Sequence, residues 1–256
     1  MRTLNSLKQM TLHELRAIMR NKIGFFFNLL IPVVLIIIFG SIYGHTGERT
    51  QAGSNTVLDF MMAGQLVYML LSAGLMTVAI ALANQRQNGS LRHLFTTPLP
   101  IGVWFGAQML ANVAMATLQI IVIFTTGHLV YGVHSPLNIP GTAAVLFVSS
   151  LTCLSMGMAV GSLVKSAEAA FPVSMILFFT IAMFGNVMMP LENAPPFILA
   201  IQKWMPSYFM TEALGKVMMR GDGLLTAAGD VGMLLSLMVV CGGLAFWRIR
   251  KQMTVA

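Results

Sequence analysis

The sequence predicts an all-α integral membrane protein with six transmembrane helices. Its 256 residues are 57% hydrophobic and only 9% charged, with a mean hydropathy of +0.80, whereas soluble domains carry roughly 25% charged residues. Apolar runs of about 20 residues, the length needed to cross a hydrocarbon core, recur along the chain. Lysine and arginine are concentrated in the segments that would lie on one side of a membrane. We expect a single transmembrane domain over residues 1–256, with shorter helices that do not span.

Residues 1–22 precede the first apolar run and predict an amphipathic helix. At about 100° per residue, one face is apolar and comprises Leu4, Leu7, Leu12, Leu15, Ile18 and Met19. The opposite face carries Arg2, His13, Arg16 and Arg20. Such a helix would lie in the cytoplasmic membrane interface. The alternative is a positively charged flank without a fixed shape.

Six apolar runs predict the spans, and the charged segments between them predict the orientation. The runs lie near 24–43, 58–83, 101–126, 143–164, 169–190 and 231–248. Lysine and arginine favour the cytoplasmic side of a membrane, and all of them lie on one side except Arg49, Lys203, Lys216 and Arg220. Both termini are therefore expected in the cytoplasm. The net charge of +7 indicates this topology and contact with anionic lipid rather than a nucleic-acid partner.

A second region outside the spans is expected at 191–230, on the outer side. Pro195, Pro196 and Pro206 divide it into pieces too short to cross a bilayer. Two short helices that enter the outer leaflet and return are the preferred interpretation, with Trp204 and Tyr208 at the depth where interfacial aromatic residues are favoured. The alternative is a loop that lies on the membrane surface.

The chain lacks the motifs of the main enzyme classes. It has no G-x-x-x-x-G-K-[ST] phosphate loop and no nucleophile elbow, and its five histidines lack metal-ligand spacing. We therefore expect neither a catalytic residue nor a metal or cofactor in this chain. All eight acidic residues avoid the centres of the spans, which disfavours proton coupling through the membrane. The energy for any transport would then come from elsewhere.

Polar residues within the spans form stripes, which predict either a translocation path or hydrogen bonds between helices. The candidate path residues are Gln65, Ser72, Gln108, Asn112, Gln119 and Asn186. A different pattern occurs in the fourth span, where Ser149, Cys153, Gly157 and Gly161 recur every four residues. Small residues at this spacing are typical of a close contact between helices.

Residues 84–100 read NQRQNGSLRHLFTTPLP and predict a short cytoplasmic helix. Asn88 or Ser90 can cap it, Leu91, Leu94 and Phe95 give it one apolar face, and Pro98 ends it. An apolar ridge exposed to the cytoplasm favours a protein groove. The alternative is a helix that lies on the inner leaflet.

This stretch resembles the first cytoplasmic loop of ABC-2 type permeases, the membrane subunits of ATP-binding-cassette exporters. The family pattern is E-R-E-x-G-T-L-E-x-L-x-x-T-P, and the residues that match it are Arg86, Gly89, Ser90, Leu91, Leu94, Thr97 and Pro98. The outside region also resembles the family, through Pro190, Pro195, Pro196, Pro206, Ser207, Tyr208, Glu212, Ala213 and Leu214. Gln85, Gln87 and Arg92 stand where the family has glutamates, so the partner groove need not carry the usual charge.

The resemblance implies a function, two partners and two groups of site residues. A coupling helix would dock on a separate cytoplasmic ATPase subunit, present in two copies and binding ATP and magnesium, through Arg86, Gly89, Ser90, Leu91, Arg92, Leu94 and Phe95. Re-entrant helices near the exit would include Trp204, Pro206, Tyr208 and Glu212. A second permease copy or a paralogue would complete the path in a bacterial-type plasma (inner) membrane. The expected substrate is amphipathic or hydrophobic, such as a drug, a lipid or a glycolipid-like molecule.

Two other functions remain open at the level of sequence. One is a six-span secondary transporter or pore without an ATPase. The other is a scaffold for assembly in the membrane. The 22 methionines and 16 phenylalanines suit an adaptable lining for an amphipathic substrate and equally suit helices that face lipid.

Overall fold

The computed structural model describes residues 2–20, 22–43, 57–88, 101–131, 136–164, 166–187 and 194–254, and within them the chain is helical without strands. The α-helices are α1 (Arg2–Arg20), α2 (Lys22–Tyr43), α3 (Val57–Leu71), α4 (Ala79–Gln87), α5 (Ile101–Tyr131), α6 (Ile139–Leu163), α7 (Ala167–Phe184), α8 (Pro196–Gln202), α9 (Pro206–Leu214) and α10 (Ala228–Thr254). Two π-helical segments, π1 (Ser72–Val78) and π2 (Gly215–Met219), continue α3 and α9.

Five of the described helices are long and apolar enough to cross a membrane, so the chain is a multi-pass membrane protein. The candidate spans are Met61–Gln87, Gly106–Val130, Ile139–Leu163, Ala167–Phe184 and Ala228–Lys251. The predicted first span falls within α2, whose described apolar run is the shorter Leu29–Ile38. A sixth span at 24–43 therefore stays a prediction.

Helix α6 lies at the centre of the bundle and packs against α10, π1 and α4. Its contact with π1 is very close because both sides lack large side chains. A Cβ added at Gly157 would overlap the carbonyl group of Gly74, and one added at Gly74 would overlap the carbonyl group of Cys153. A Cβ at Gly161 would come within 2.7 Å of the Ala79 carbonyl oxygen. The close contact predicted for the small residues of the fourth span is confirmed.

Helix α1 packs mainly along α5. A Cβ placed on Gly106 of α5 would lie 3.2 Å from Cδ1 of Leu7, so the small residue lets the two helices approach. The predicted helix at the N-terminus is present, and its apolar face meets the bundle at this point. Its position in the membrane interface stays a prediction.

The described residues 194–230, predicted to lie on the outer side, contain two short helices, as the proline positions predict. Pro196 is the first residue of α8 and Pro206 is the first residue of α9. Proline is favoured there because a backbone N–H in the first turn has no partner within the helix, so its absence costs no hydrogen bond. Helix α9 is fixed to the end of α7, because Ser207 Oγ donates to the Ile181 carbonyl at 2.6 Å and Thr211 Oγ1 donates to that of Gly185 at 3.4 Å. Entry of these helices into the membrane stays a prediction.

Candidate functional site: a cavity beside π1

A cavity of about 870 Å³ lies between α1, α2, α5, α7 and the wall formed by α3, π1 and α4. Its polar lining residues are Glu14, Ser72, Thr77, Gln85, Gln108 and Asn112. Its aromatic lining residues are Phe25, Tyr68, Phe171, Phe178 and Phe179. Ligand cavities in proteins typically measure about 300–1,000 Å³ and combine an apolar wall with a few polar groups. The cavity has the size and lining of a site for a small amphipathic molecule.

Two amide side chains of α5, Gln108 and Asn112, line the cavity and are largely buried. Gln108 is 8% exposed and Asn112 is 7% exposed. Asn112 Nδ2 donates to the Gln108 backbone carbonyl at 2.8 Å, which orients the Asn112 side chain. The Gln108 Oε1 atom is buried and has no hydrogen-bond partner in the described part of the chain. A buried acceptor of this kind is unfavourable until a donor meets it.

Three of the six predicted path residues line this cavity: Ser72, Gln108 and Asn112. The other three, Gln65, Gln119 and Asn186, are buried elsewhere in the bundle. Gln65 precedes the cavity-lining part of its helix, which runs from Tyr68 to Gln85 and rises about 25 Å. Asn186 follows α7 with a positive φ of 63°, a backbone conformation that asparagine tolerates. The predicted stripes thus contain both cavity-lining and packing residues.

Aromatic rings of α3 and α7 form part of the cavity wall. Tyr68 and Phe178 meet edge to face, with ring centroids 5.0 Å apart, and Phe178 meets Phe179 in the same way at 5.3 Å. Edge-to-face packing is a favourable aromatic geometry. Since Phe178 is only 1% exposed, its neighbours Tyr68 and Phe179 offer more of their ring surface to the cavity.

Glu14 is a cavity residue that the sequence interpretation did not identify. It lies in α1 and lines the cavity together with Ala17 and Ile18 of the same helix. On a helical projection Glu14 lies about 40° from Ile18, at the edge of the apolar face. The position of Glu14 at that edge could have identified it from the sequence. When the apolar face of α1 packs against the bundle, the residues at the edge of that face are also brought into the bundle.

The predicted ATPase-contact residues lie mostly outside the described residues, and only Arg86 has a defined environment. Its Nη1 donates to the carbonyl oxygens of Gly161, Ser162 and Val164, at 3.1, 2.9 and 2.9 Å. The last carbonyls of a helix lack partners within the helix and carry partial negative charge. The Arg86 guanidinium therefore fixes the end of α4 to the end of α6. Gly89, Ser90, Leu91, Arg92, Leu94 and Phe95 fall outside the described residues.

The helix α4 extends into the stretch predicted as the coupling helix. Residues 84–87 continue α4, and Asn88 ends it with its backbone N–H bonded to the Asn84 carbonyl at 2.9 Å. Gln87 Oε1 accepts a hydrogen bond from the backbone N–H of Ala167, the first residue of α7, at 3.0 Å. Arg86 and Gln87, near the start of the stretch predicted as the coupling helix, are therefore bonded directly to Val164 and Ala167, at the connection between α6 and α7.

The predicted exit residues Pro206, Tyr208 and Glu212 lie along α9, and Trp204 lies just before it. Trp204 is 79% exposed, whereas Tyr208 and Glu212 are half-buried. The Tyr208 ring meets the Phe209 ring edge to face at 5.6 Å. An exposed tryptophan beside a half-buried tyrosine is compatible with an interfacial position.

A second cavity, of about 580 Å³, lies between α5 and α6 and has a different character. Its walls are mostly apolar, and His128 is the one ionisable residue among the described residues that line it. Leu129 and Phe147 on its border are 77% and 49% exposed. None of the predicted path residues lines it. The polar stripe, the aromatic wall and the acid meet only in the larger cavity.

No group of three or more histidine, cysteine, aspartate or glutamate side chains in the described ranges could hold a metal ion. Cys153 is fully buried and Cys241 half-buried, and both thiols are free. The larger cavity offers a ligand apolar contact, amide groups and one carboxylate.

The sequence of this chain matches a known protein family. The family described as "ABC-2 type transporter" matches residues 5–219, which include α1, both π-segments and every element that lines the larger cavity. The chain belongs to the ABC-2 type transporter family. Its members are membrane subunits, so the resemblance found in the sequence motifs is confirmed.

Three relatives show how widely this membrane domain is shared. The "Putative transport permease YvfS" of Bacillus subtilis (strain 168) is 26% identical over 206 residues, covering 80% of this chain and 82% of the relative. The "Probable multidrug ABC transporter permease YbhR" of Escherichia coli (strain K12) is 19% identical, covering 77% of this chain and 55% of that protein. The "ABC transporter G family member 20" of Dictyostelium discoideum is 19% identical, covering 72% of this chain and 24% of that protein.

Proposed function

We propose that the chain is the permease subunit of an ATP-driven exporter that moves an amphipathic or hydrophobic substrate out across a bacterial-type plasma (inner) membrane. The observation that carries the proposal is the cavity of about 870 Å³, which combines aromatic rings with buried amides on α5, the helix that follows the predicted coupling stretch. The names of YvfS and YbhR, a transport permease and a multidrug permease, agree with a substrate of this kind.

The proposed orientation places α1, the end of α4 and both termini in the cytoplasm. The cavity then lies next to the inner leaflet, since its lining extends from Glu14 and Gln85 toward Tyr68. An amphipathic molecule dissolved in that leaflet could enter between α1 and α7 without crossing bulk water. Its apolar part would meet the aromatic wall and its polar part would meet Gln108 and Asn112.

The energy would come from a separate cytoplasmic ATPase subunit, present in two copies, which binds ATP and magnesium. Pairing with an ABC ATPase is what membership of the family implies. Leu91, Leu94 and Phe95 are the proposed docking ridge. Motion of this ridge would reach α4, and through Arg86 and Gln87 it would reach the ends of α6 and α7. Since π1 packs on α6 without space between them, displacement of α6 would move the wall of the cavity.

A second permease copy, or a paralogue, would close the path on its open side. On α7, Phe171, Ile176 and Met183 are 50%, 68% and 63% exposed, so much of this cavity-lining helix is not covered by the described residues. Two copies facing each other across α7 would enclose the two cavities. Membrane lipid would cover the remaining apolar surface, which includes most of α10.

The proposal is tested by Leu91→Asp combined with Leu94→Asp, in membranes that contain the ATPase subunit. Burying a leucine side chain is worth about 1.5–3 kcal/mol, and a carboxylate in the same groove would lack a partner. The double variant should still insert but should lose copurification of a tagged ATPase and ATP-dependent efflux. Leu225→Asp, at a leucine that is 91% exposed, is the matched control and should keep both.

Retention of both activities by the double variant would contradict ATPase docking at this stretch. Transport that continues without any ATPase and follows an ion gradient would instead support the secondary transporter. The two outcomes are separated by measuring efflux from vesicles with ATP alone and with an ion gradient alone.

A further inference from the structure

The cavity contains a carboxylate to which the proposed function assigns no role. Glu14 is the only charged residue among the described residues that line the cavity, and in the part of the chain that the structure describes no lysine or arginine forms an ion pair with it. Burial raises the pKa of the Glu14 carboxyl, while the neighbouring His13 acts in the opposite direction. An anion in such a place lacks a counter-ion, and a bound cation would supply one.

The rest of the lining suits the same kind of ligand. Tyr68 and Phe179 border the cavity beside the buried Phe178 ring, and aromatic faces attract cations through their quadrupole. Gln108 and Asn112 add uncharged amides to the lining, which supply no positive charge to an anion. An anionic molecule of equal size would meet Glu14 and no basic side chain among the described lining residues.

We propose that the cavity selects hydrophobic organic cations, with the Glu14 carboxylate as the counter-ion and the aromatic wall as the surface for the apolar body. The inference rests on the proposed function, because it names the charge class of the exported substrate. Helix α1 thereby acts as a selectivity element as well as a support for α5.

Binding to the full-length permease in nanodiscs of neutral lipid tests the inference without any ATPase. Three probes share their phenyl groups and differ in charge: tetraphenylphosphonium is a cation, tetraphenylborate an anion and triphenylphosphine oxide neutral. Equilibrium dialysis, corrected with empty nanodiscs, should show that the wild-type protein binds the cation at least tenfold more tightly than the anion. Glu14→Gln should weaken binding of the cation about tenfold and change binding of the neutral probe less than twofold. Glu14→Lys should reverse the preference between cation and anion.

The matched control is Glu168→Gln. Glu168 is an exposed acid in the first turn of α7, a helix that also lines the cavity, and its side chain is not part of the lining. This variant should bind all three probes as the wild type does. Equal loss of the cationic and neutral probes in Glu14→Gln would assign Glu14 to the shape of the cavity and overturn the inference. Unchanged binding of the cation, or no binding by the wild type, would also overturn it.

Because no ATPase is present, these results are independent of export. A permease that binds the cation through Glu14 but shows no ATP-dependent efflux would contradict the proposed function and leave the selectivity intact. A permease that exports with ATP but binds the three probes equally would support the proposed function and contradict the selectivity for cations.

Discussion

The two π-helical segments depart from α-helical geometry in the same way but are stabilised by different contacts. In π1, Gly74 lies against the backbone of α6, and a Cβ added there would overlap the Cys153 carbonyl. In π2, a Cβ added at Gly215 would have nothing within 4 Å. Instead, Lys216 pairs with Asp230 of α10, and the Met218 carbonyl accepts the Leu137 N–H at 3.1 Å. Close backbone contact stabilises π1, whereas π2 combines these polar contacts with the buried side chains of Val217 and Met218.

The difference shows where the bundle can move. Wide π-turns occur often at functional sites, and π1 borders the cavity with Ser72, Met76 and Thr77 while its other face packs on α6. The π1–α6 contact leaves no space, so the two elements must move together. At the opposite end, π2 is bonded to the segment that precedes α6 and to the first turn of α10, through contacts that can break singly. We therefore expect a substitution at Gly74 of π1 to affect the whole fold, and substitutions at Gly215 and Lys216 of π2 to have small effects.

The largest effect is expected from Gly74→Ala. The added methyl group would overlap the backbone of Cys153, which cannot yield by rotation of a side chain, so π1 and α6 must separate. Overpacking of this kind destabilises by about 1–3 kcal/mol and sometimes more. The variant should therefore lower the apparent Tm in detergent and reduce the yield of monodisperse protein. Its transport should fall with its stability.

Gly215→Ala is the matched control for Gly74→Ala, because it makes the same chemical change at the other π-segment. Gly215 has right-handed helical dihedrals (φ −56°, ψ −46°) and open space around it. Alanine at a compatible position stabilises by about 0.4–1 kcal/mol, since it restricts the unfolded chain. The apparent Tm should stay equal or rise slightly. Equal losses in both variants would contradict the distinction between the two segments.

The face of α6 that makes the close contact could be predicted from the sequence. The element that this face contacts, π1, could not. Ser149, Cys153, Gly157 and Gly161 share a face by their four-residue spacing alone, and the structure confirms their close contact. That they meet Gly74 within a π-segment could not be predicted, because a helical projection assumes about 100° per residue throughout and a π-turn changes that angle. Sequence periodicity thus gave the face of α6 but not the element it contacts.

An intermediate effect is expected from Arg86→Ala. The variant removes one charged Nη1 group, whose two hydrogens are shared among three carbonyls at the end of α6. We therefore expect a loss of the order of one hydrogen bond to a charged group, about 1.5–3 kcal/mol. Arg86→Lys keeps the charge, but a lysine lacks the planar fork of several donors, so it should restore only part of the loss. The apparent Tm should fall, and substrate-stimulated ATP hydrolysis should fall more strongly, while the ATPase subunit still copurifies.

The control for Arg86→Ala is Arg220→Ala, at an exposed arginine that follows π2. It should change neither the Tm nor the hydrolysis. If Arg86→Ala instead releases the ATPase subunit, Arg86 belongs to the docking surface itself, as the sequence resemblance predicts for it. Copurification and hydrolysis measured on the same membranes distinguish the two roles.

The candidate site was partly predictable for a related reason. Ser72, Gln108 and Asn112 were identified as polar residues within spans, and they do line one cavity. Gln65 shares a stripe with Ser72 but lies beyond the end of the cavity, and a stripe contains no information about where a cavity ends. Glu14 was missed because α1 was expected to lie apart from the spans, whereas it packs along α5. Whether Glu14 lines the cavity depends on how α1 packs against the bundle, and the sequence of α1 alone cannot show that packing.

The smallest effect is expected from breaking the Lys216–Asp230 pair. The two charged atoms lie 2.7 Å apart, with side chains that are 27% and 14% exposed. Partly exposed pairs contribute about 0.2–1 kcal/mol, so Lys216→Met and Asp230→Asn should each lower the apparent Tm only slightly. The double variant should lose less than the sum of the two single losses. If the Tm loss of the double variant equals the sum of the two single losses, the Lys216–Asp230 pair does not stabilise π2.

The pH dependence of the same pair gives an independent test. Hydrogen bonding to the Asp230 carboxylate raises the pKa of Lys216 above its usual value, and partial burial opposes this shift. A group whose pKa is raised in the folded state stabilises the fold below its unfolded pKa, about 10.4 for lysine, and ceases to do so as the pH rises through the folded value. The difference in Tm between the wild type and Lys216→Met should therefore be constant from pH 7 to about pH 10 and shrink above it. A difference that already disappears below pH 9 would show that the charge of Lys216 is not what links π2 to α10. The polar contact that distinguishes π2 from π1 would then be the hydrogen bond from the Leu137 N–H to the Met218 carbonyl.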